Sequence, residues 1–104
     1  MGKFIIKQMS NGQYYFNLKA PNGEILISSE GYTSKSGCLN GIEAVKINTS
    51  RGNQFIEKTS ANGKYYFNLK SQNGQIIAMS QLYTNKNGML GGIEAVKNML
   101  LMQE

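Results

Sequence analysis

The chain has 104 residues, with eleven Lys or Arg against six acids and 40% apolar residues, a make-up that suits one small folded domain and excludes wholesale disorder. All six acids are Glu, there is no His, and Cys38 is the single cysteine, so a Ser-His-Asp or Cys-His arrangement lacks its base and an internal disulfide lacks a partner. Nothing approaches the roughly 18 apolar residues of a membrane span, and "MGKFIIKQ" offers neither a secretory apolar region nor the Ser or Thr that myristoylation needs, since Ile6 stands there.

The expected location is therefore cytoplasmic, with no membrane anchor. In chain order, the first strand is expected over residues 3–9. Asn11-Gly12 then marks a turn, the second strand spans 13–20, Asn22-Gly23 marks another turn, and a third strand spans 24–30. Asn-Gly between β-rich runs predicts type I′ hairpin turns, because both residues tolerate positive φ. The second strand alternates. Tyr14, Phe16 and Leu18 face one side, and Tyr15, Asn17 and Lys19 face the other. Beyond it the period changes: Leu39, Ile42 and Val45 recur at helical spacing, with Thr33 or Ser34 as the N-cap.

The rest of the chain repeats this order. Strands are expected over 54–60, 64–71 and 75–81, followed by a helix carrying Leu90, Ile93 and Val96 behind Thr84 or Asn85. Shifting the sequence by 51 residues aligns Phe4–Lys46 with Phe55–Lys97 without a gap, and 26 of the 43 positions are identical. The chain is a tandem duplication with repeats over about 3–52 and 53–104. One irregularity is that Ile6 is matched by Glu57. Glycines at 37, 41, 88, 91 and 92 weaken the helices by up to about 1 kcal/mol each relative to Ala, so close approach to the sheet or to the other helix is expected there. A half of roughly 50 residues is marginal alone. The fold expected is α+β: β-β-β-α(-β) repeats merged about a pseudo-twofold axis into one mainly antiparallel sheet, with two helices on one face, forming a single domain over 1–104.

"YYFNLKAPNGEILISSEGYTSK" followed by "NGIEAVK" resembles the YegP-like family of small bacterial proteins, a domain of unknown function in tandem two-repeat form. The resemblance implies β3-αβ units that share one sheet and exchange their C-terminal strands, Gln54–Lys58 closing the first unit and opening the second. Family members carry a polar strand after the second helix. Here "NMLLMQE" follows, and it either makes a short strand or extends the helix. The resemblance brings no catalytic residue.

Candidate chemistry is sparse. Cys38 is matched by Met89 and reads as a buried filler. Glu43 and Glu94 could form a carboxylate pair, but each reads better as an exposed helix residue beside Lys46 or Lys97. "NKNGMLGG" lacks the Gly-Lys-Ser/Thr ending of a phosphate loop, and its copy "SKSGCLNG" marks it as a helix start. No catalytic residue, metal or cofactor is expected. What recurs on the outward side of the second strand is Tyr15, Asn17 and Lys19, copied as Tyr66, Asn68 and Lys70. A ring, an amide and an ammonium in line can stack, hydrogen-bond and attract phosphate, as single-stranded nucleic-acid sites do. Lys7/Lys58, Lys35/Lys86 and Lys46/Lys97 would double any basic patch. The leading expectation is a non-catalytic binding or protein-interaction module. Self-association would use the sheet edges or Met99–Met102, and a single-stranded nucleic acid or another polyanion is the alternative partner.

Overall fold

The computed structural model describes residues 3–50 and 54–101. Six strands and two helices follow one another as β1 (Lys3–Gln8), β2 (Tyr14–Lys19), β3 (Ile25–Ser29), α1 (Lys35–Thr49), β4 (Phe55–Thr59), β5 (Tyr65–Lys70), β6 (Ile76–Ser80) and α2 (Lys86–Leu101). The strands form one antiparallel sheet in the order β1-β2-β3-β6-β5-β4. The pseudo-twofold axis passes between β3 and β6, where Ile27 pairs with Ser80 and Ser29 with Ala78. β4 follows α1 in the chain and pairs with β5 alone, at the far edge, so Gln54–Lys58 opens the second half and, contrary to expectation, makes no ladder that closes the first. The segment 98–101 extends α2 as helix. Residues 102–104, and with them Met102, lie outside the described part, while Met99 and Leu100 are half-buried against the core.

Each predicted strand is present, a residue or so shorter at its ends. The turns depart from expectation. Among the described residues only Gly12, Gly23, Gly63 and Gly74 have positive φ, between 83° and 88°. A type I′ turn needs positive φ at both central residues; here the Asn before each Gly keeps the ordinary sign. Gly12 N–H donates to Met9 O at 3.0 Å and Met9 N–H to Gln13 O at 2.7 Å, which is a type I turn followed by a left-handed glycine bulge. Asn11, Asn22 and Asn73 instead accept from the backbone N–H two residues on, at 3.0, 2.9 and 3.2 Å.

The core lies between one face of the sheet and the two helices. Phe16, Ile27, Val45, Phe67, Leu69 and Val96 have no exposed surface. Ser34 caps α1, its Oγ accepting from Gly37 N–H at 3.0 Å, and Asn85 Oδ1 accepts from Gly88 N–H at 2.7 Å at the start of α2. The apolar stripe of each helix is shifted from the expected one. Cys38 and Met89 are buried, whereas Leu39 and Leu90 are 48% and 39% exposed. The inward face runs Cys38, Gly41, Ile42, Val45 and Thr49, a 3- and 4-residue spacing; successive steps of three, as in Leu39-Ile42-Val45, drift around the helix. Burial raises the Cys38 thiol pKa, which keeps it protonated and weakly nucleophilic.

Gly41 and Gly92 answer the question of the helix glycines. A Cβ at Gly41 would sit 2.7 Å from Tyr32 Cζ and 3.1 Å from Phe16 Cε2, and one at Gly92 would sit 2.8 Å from Tyr83 Cζ. Tyr32 and Tyr83 are themselves held by paired backbone bonds to Tyr14 and Tyr65, 2.7–2.9 Å long. Glycine is thus the space in which each ring lies against its helix. Gly91 has open space around it, and no close approach explains it.

Candidate ligand-binding face

The register fixes which side chains share the face turned away from the helices. Lys3, Ile5 and Lys7 lie opposite Lys19, Asn17 and Tyr15, and Asn17 lies opposite Ser28. Across the axis Ser28 meets Met79, Met79 meets Asn68, and Asn68 meets Ile56. One row, Ile5-Asn17-Ser28-Met79-Asn68-Ile56, therefore crosses all six strands. All six expected site residues are on this face. The two copies are staggered: Tyr15 and Tyr66 lie on opposite sides of the row and three strand spacings apart, about 14 Å across the sheet.

The environment of these six residues is uneven. Tyr15, Tyr66, Lys19 and Lys70 are half-buried, while Asn17 and Asn68 are buried. A mid-strand amide flanked along its own strand by Tyr and Lys is covered even without a second layer above it. Asn17 and Asn68 are thus mostly covered, 6% and 4% exposed.

The two halves diverge at this point. Ser28 Oγ donates to Asn17 Oδ1 at 2.6 Å, whereas Met79 stands at the equivalent position and Asn68 Oδ1 is buried without a partner. Losing the donor in Ser28→Ala is expected to cost about 1–3 kcal/mol, because it strands a second buried carbonyl. Met79→Ser is expected to add about 0.5–1.5 kcal/mol by supplying the missing bond, since Met79 is already 48% exposed and has little burial to lose. Urea unfolding of both variants checks the pair of signs.

Ile25 and Ile76, opposite Lys19 and Lys70, join Met79 as exposed apolar residues around the seam, 36%, 39% and 48% accessible. They line a shallow depression of about 540 Å³. Around it stand Lys3, Lys7, Lys19, Lys58 and Lys70. None of the strand residues on this face is a carboxylate, and Glu24 and Glu30 flank it at the strand ends. The other repeated lysines are elsewhere. Lys35 and Lys86 begin the helices, and Lys46 and Lys97 project from the helix layer toward the rings of Phe4 and Phe55, 5.8 and 5.6 Å from their centroids. The basic patch is thus built from β1, β2, β4 and β5, and the helix lysines do not contribute.

The two halves of the helix layer also treat their acids differently. Glu43 is exposed and 3.7 Å from Lys46, and Glu94 is exposed. Glu57, which breaks the symmetry with Ile6, faces the helix side and reaches Lys86 at 3.9 Å. Among the described residues no three His, Cys, Asp or Glu side chains gather as a metal site, and no helix is long and apolar enough to cross a membrane.

Two β-β-β-α repeats set side by side in one sheet, with an uncovered face on the side away from both helices, define a class of small duplicated α+β domain. The chain belongs to the family described as Domain of unknown function (DUF1508), which matches it twice, over residues 10–53 and 60–99. It is 44% identical to the UPF0339 protein YegP of Escherichia coli K12 over 96 residues, 92% of this chain and 87% of that one. It is equally similar to a UPF0339 protein of Pseudomonas aeruginosa, over 95 residues that cover 91% of this chain and 86% of the relative. The solution NMR structure of YegP, a protein of unknown function from E. coli, superimposes with a TM-score of 0.87 over 92% of this chain and 83% of that one. That of a UPF0339 protein from Shewanella oneidensis, 42% identical, gives 0.88 over 93% and 82%.

Proposed function

We propose that this protein is a non-catalytic module of the cytoplasm that binds single-stranded nucleic acid across the uncovered face of its sheet. The observation that carries this reading is the composition of that face: five lysines around an apolar centre, two tyrosines staggered across it, and no carboxylate among its strand residues. Lysines attract the phosphates and their released counterions drive binding. The half-buried tyrosines offer ring faces on which bases stack, and the Ile25-Ile76-Met79 depression lies between them to take further apolar ring surface. The same lysines oppose a second copy of the chain laid face to face, since like charges would meet across the interface. The sheet edges do not invite self-association either: β1 carries Lys3 and Lys7, and β4 carries Lys58, which blunts edge pairing.

The test is fluorescence anisotropy with labelled single-stranded RNA, single-stranded DNA and duplex DNA, from low to near-physiological salt. Tyr15→Ala/Tyr66→Ala is expected to lose affinity for single strands by about tenfold or more, given about 1–3 kcal/mol of stacking per base. Lys19→Gln/Lys70→Gln is expected to flatten the dependence of log K on log salt by about 0.7 per lysine. Equal binding of duplex and single strands that disappears with salt alike in the wild type and the tyrosine variant would overturn the reading. Generic charge, or an apolar protein partner at the central depression, would then be left.

A further inference from the structure

A second concavity adjoins the uncovered face and shares Glu30, Ile76 and Ile77 with its central depression. It is a cleft of about 420 Å³ between the two halves, lined by Glu30, Tyr32 and Gly41 from the first and by Ser71, Gln75 and Ile76 from the second. Glu30 lies at the end of β3, Tyr32 rests on α1 where Gly41 leaves room for its ring, and Ser71 and Gln75 belong to the turn between β5 and β6. The tyrosine hydroxyl is held protonated by burial, reinforced by Cys38 and Glu30 nearby.

The duplication supplies an internal comparison. The shift of 51 residues maps Glu24 onto Gln75 and Glu30 onto Gln81, so the pair Glu24 and Gln81 stands to one corner of the seam as Gln75 and Glu30 stand to the other. At the first corner the Gln81 amide Nε2 donates to Glu24 Oε2 at 3.0 Å. At the second corner, among the described residues, no side-chain bond joins Gln75 to Glu30, and the cleft occupies the place. One corner is therefore joined by an amide N–H donating to a carboxylate, while at the other the two groups exchange positions and Glu30 stands unbonded to Gln75, beside open volume. Among the described residues no Lys or Arg lines the cleft. The hydrogen-bonding groups are one carboxylate acceptor and a set of hydroxyl and amide groups that both donate and accept.

We propose that this cleft binds a small organic cation with N–H donors, a primary ammonium or a guanidinium, on Glu30. The cation donates to the carboxylate as Gln81 does at the other corner, now with charge assistance. Its remaining N–H groups reach the hydroxyls of Tyr32 and Ser71 or the amide oxygen of Gln75. Its carbon chain lies along Ile76 and Ala44.

The experiment is a ¹H–¹⁵N correlation NMR titration of the full chain with butylammonium, guanidinium and tetramethylammonium chlorides at constant ionic strength. Tetramethylammonium carries the same charge without an N–H. The expected result is saturating shifts at residues 30–32, 41 and 71–76 with butylammonium or guanidinium, and at least tenfold weaker binding of tetramethylammonium. Glu30→Gln is expected to weaken the bound cation at least tenfold while Glu43→Gln leaves it unchanged. Glu30→Gln is not expected to disturb the fold, because glutamine already holds the equivalent position 81. Tyr15→Ala/Tyr66→Ala should leave the cleft's affinity intact, which separates this site from the tyrosines of the uncovered face. Shifts that never saturate, that spread equally over the other glutamates, that are alike for all three cations, or that survive Glu30→Gln would each overturn the proposal.

Discussion

Truncating Phe16 to alanine is expected to lower the free energy of unfolding by about 3–5 kcal/mol, and Phe67→Ala by a similar amount. Both rings are without exposed surface in the layer between sheet and helices. Phe16 meets the edge of Phe4 with centroids 5.7 Å apart and lies nearly parallel to Tyr32 at 6.3 Å; Phe67 meets Phe55 at 5.7 Å. Each ring also fills the space beside the helix glycine of its own half, Gly41 or Gly92. The backbones of Tyr32 and Tyr83 are held by their pairing to Tyr14 and Tyr65, so the chain beside each ring does not shift in to close the gap. A domain of this size has about 5–15 kcal/mol in all, so either change removes a large share of it. Urea unfolding followed by circular dichroism measures both. A loss under about 1.5 kcal/mol at either site would mean that the core collapses freely around the deletion.

Gly41→Ala is the second large effect, and its sign runs against helix propensity. Alanine is the better helix former by up to about 1 kcal/mol. Here the new methyl would press on Tyr32 Cζ and Phe16 Cε2, both in packed rings. Overpacking of that kind costs about 1–3 kcal/mol, so the net change is destabilising, and Gly92→Ala against Tyr83 should match it. Gly91→Ala is the control within the same helix. Its Cβ meets nothing within 4 Å, and it should stabilise by up to about 1 kcal/mol. Thermal melts of the three variants give the signs, and a gain at Gly41 would show that the tyrosine ring swings aside.

Much of this was legible in the residues. The 51-residue repeat and the Asn-Gly punctuation locate six strands, and period-2 alternation in "YYFNLK" assigns Phe16 and Leu18 inward and Tyr15 and Lys19 outward. Local patterns of that kind survive because each strand is buried on one side only. The helix faces were less legible. Cys38 and Gly41 are weak markers of burial, and Leu39 is a strong marker in the wrong place; which of two overlapping stripes points inward is decided by the sheet. Asn17 and Asn68 read as outward and prove covered, because coverage depends on neighbours in adjacent strands. The Glu30 cleft was not legible at all. Its walls come from residues 30–44 and 71–77, and only the β3–β6 seam brings them together.

That seam also explains why the two halves are not interchangeable. Two copies of the first half set about the same axis would place Glu24 against Glu30 at both corners, carboxylate facing carboxylate. Two copies of the second would place Gln75 against Gln81, with no charge at either. Only the mixed arrangement, the one the covalent chain enforces, sets an amide opposite each carboxylate. A symmetric homodimer of half-chains has to carry identical corners, whereas a fused duplicate is free to let them differ. This chain uses that freedom to join one corner and leave the other open.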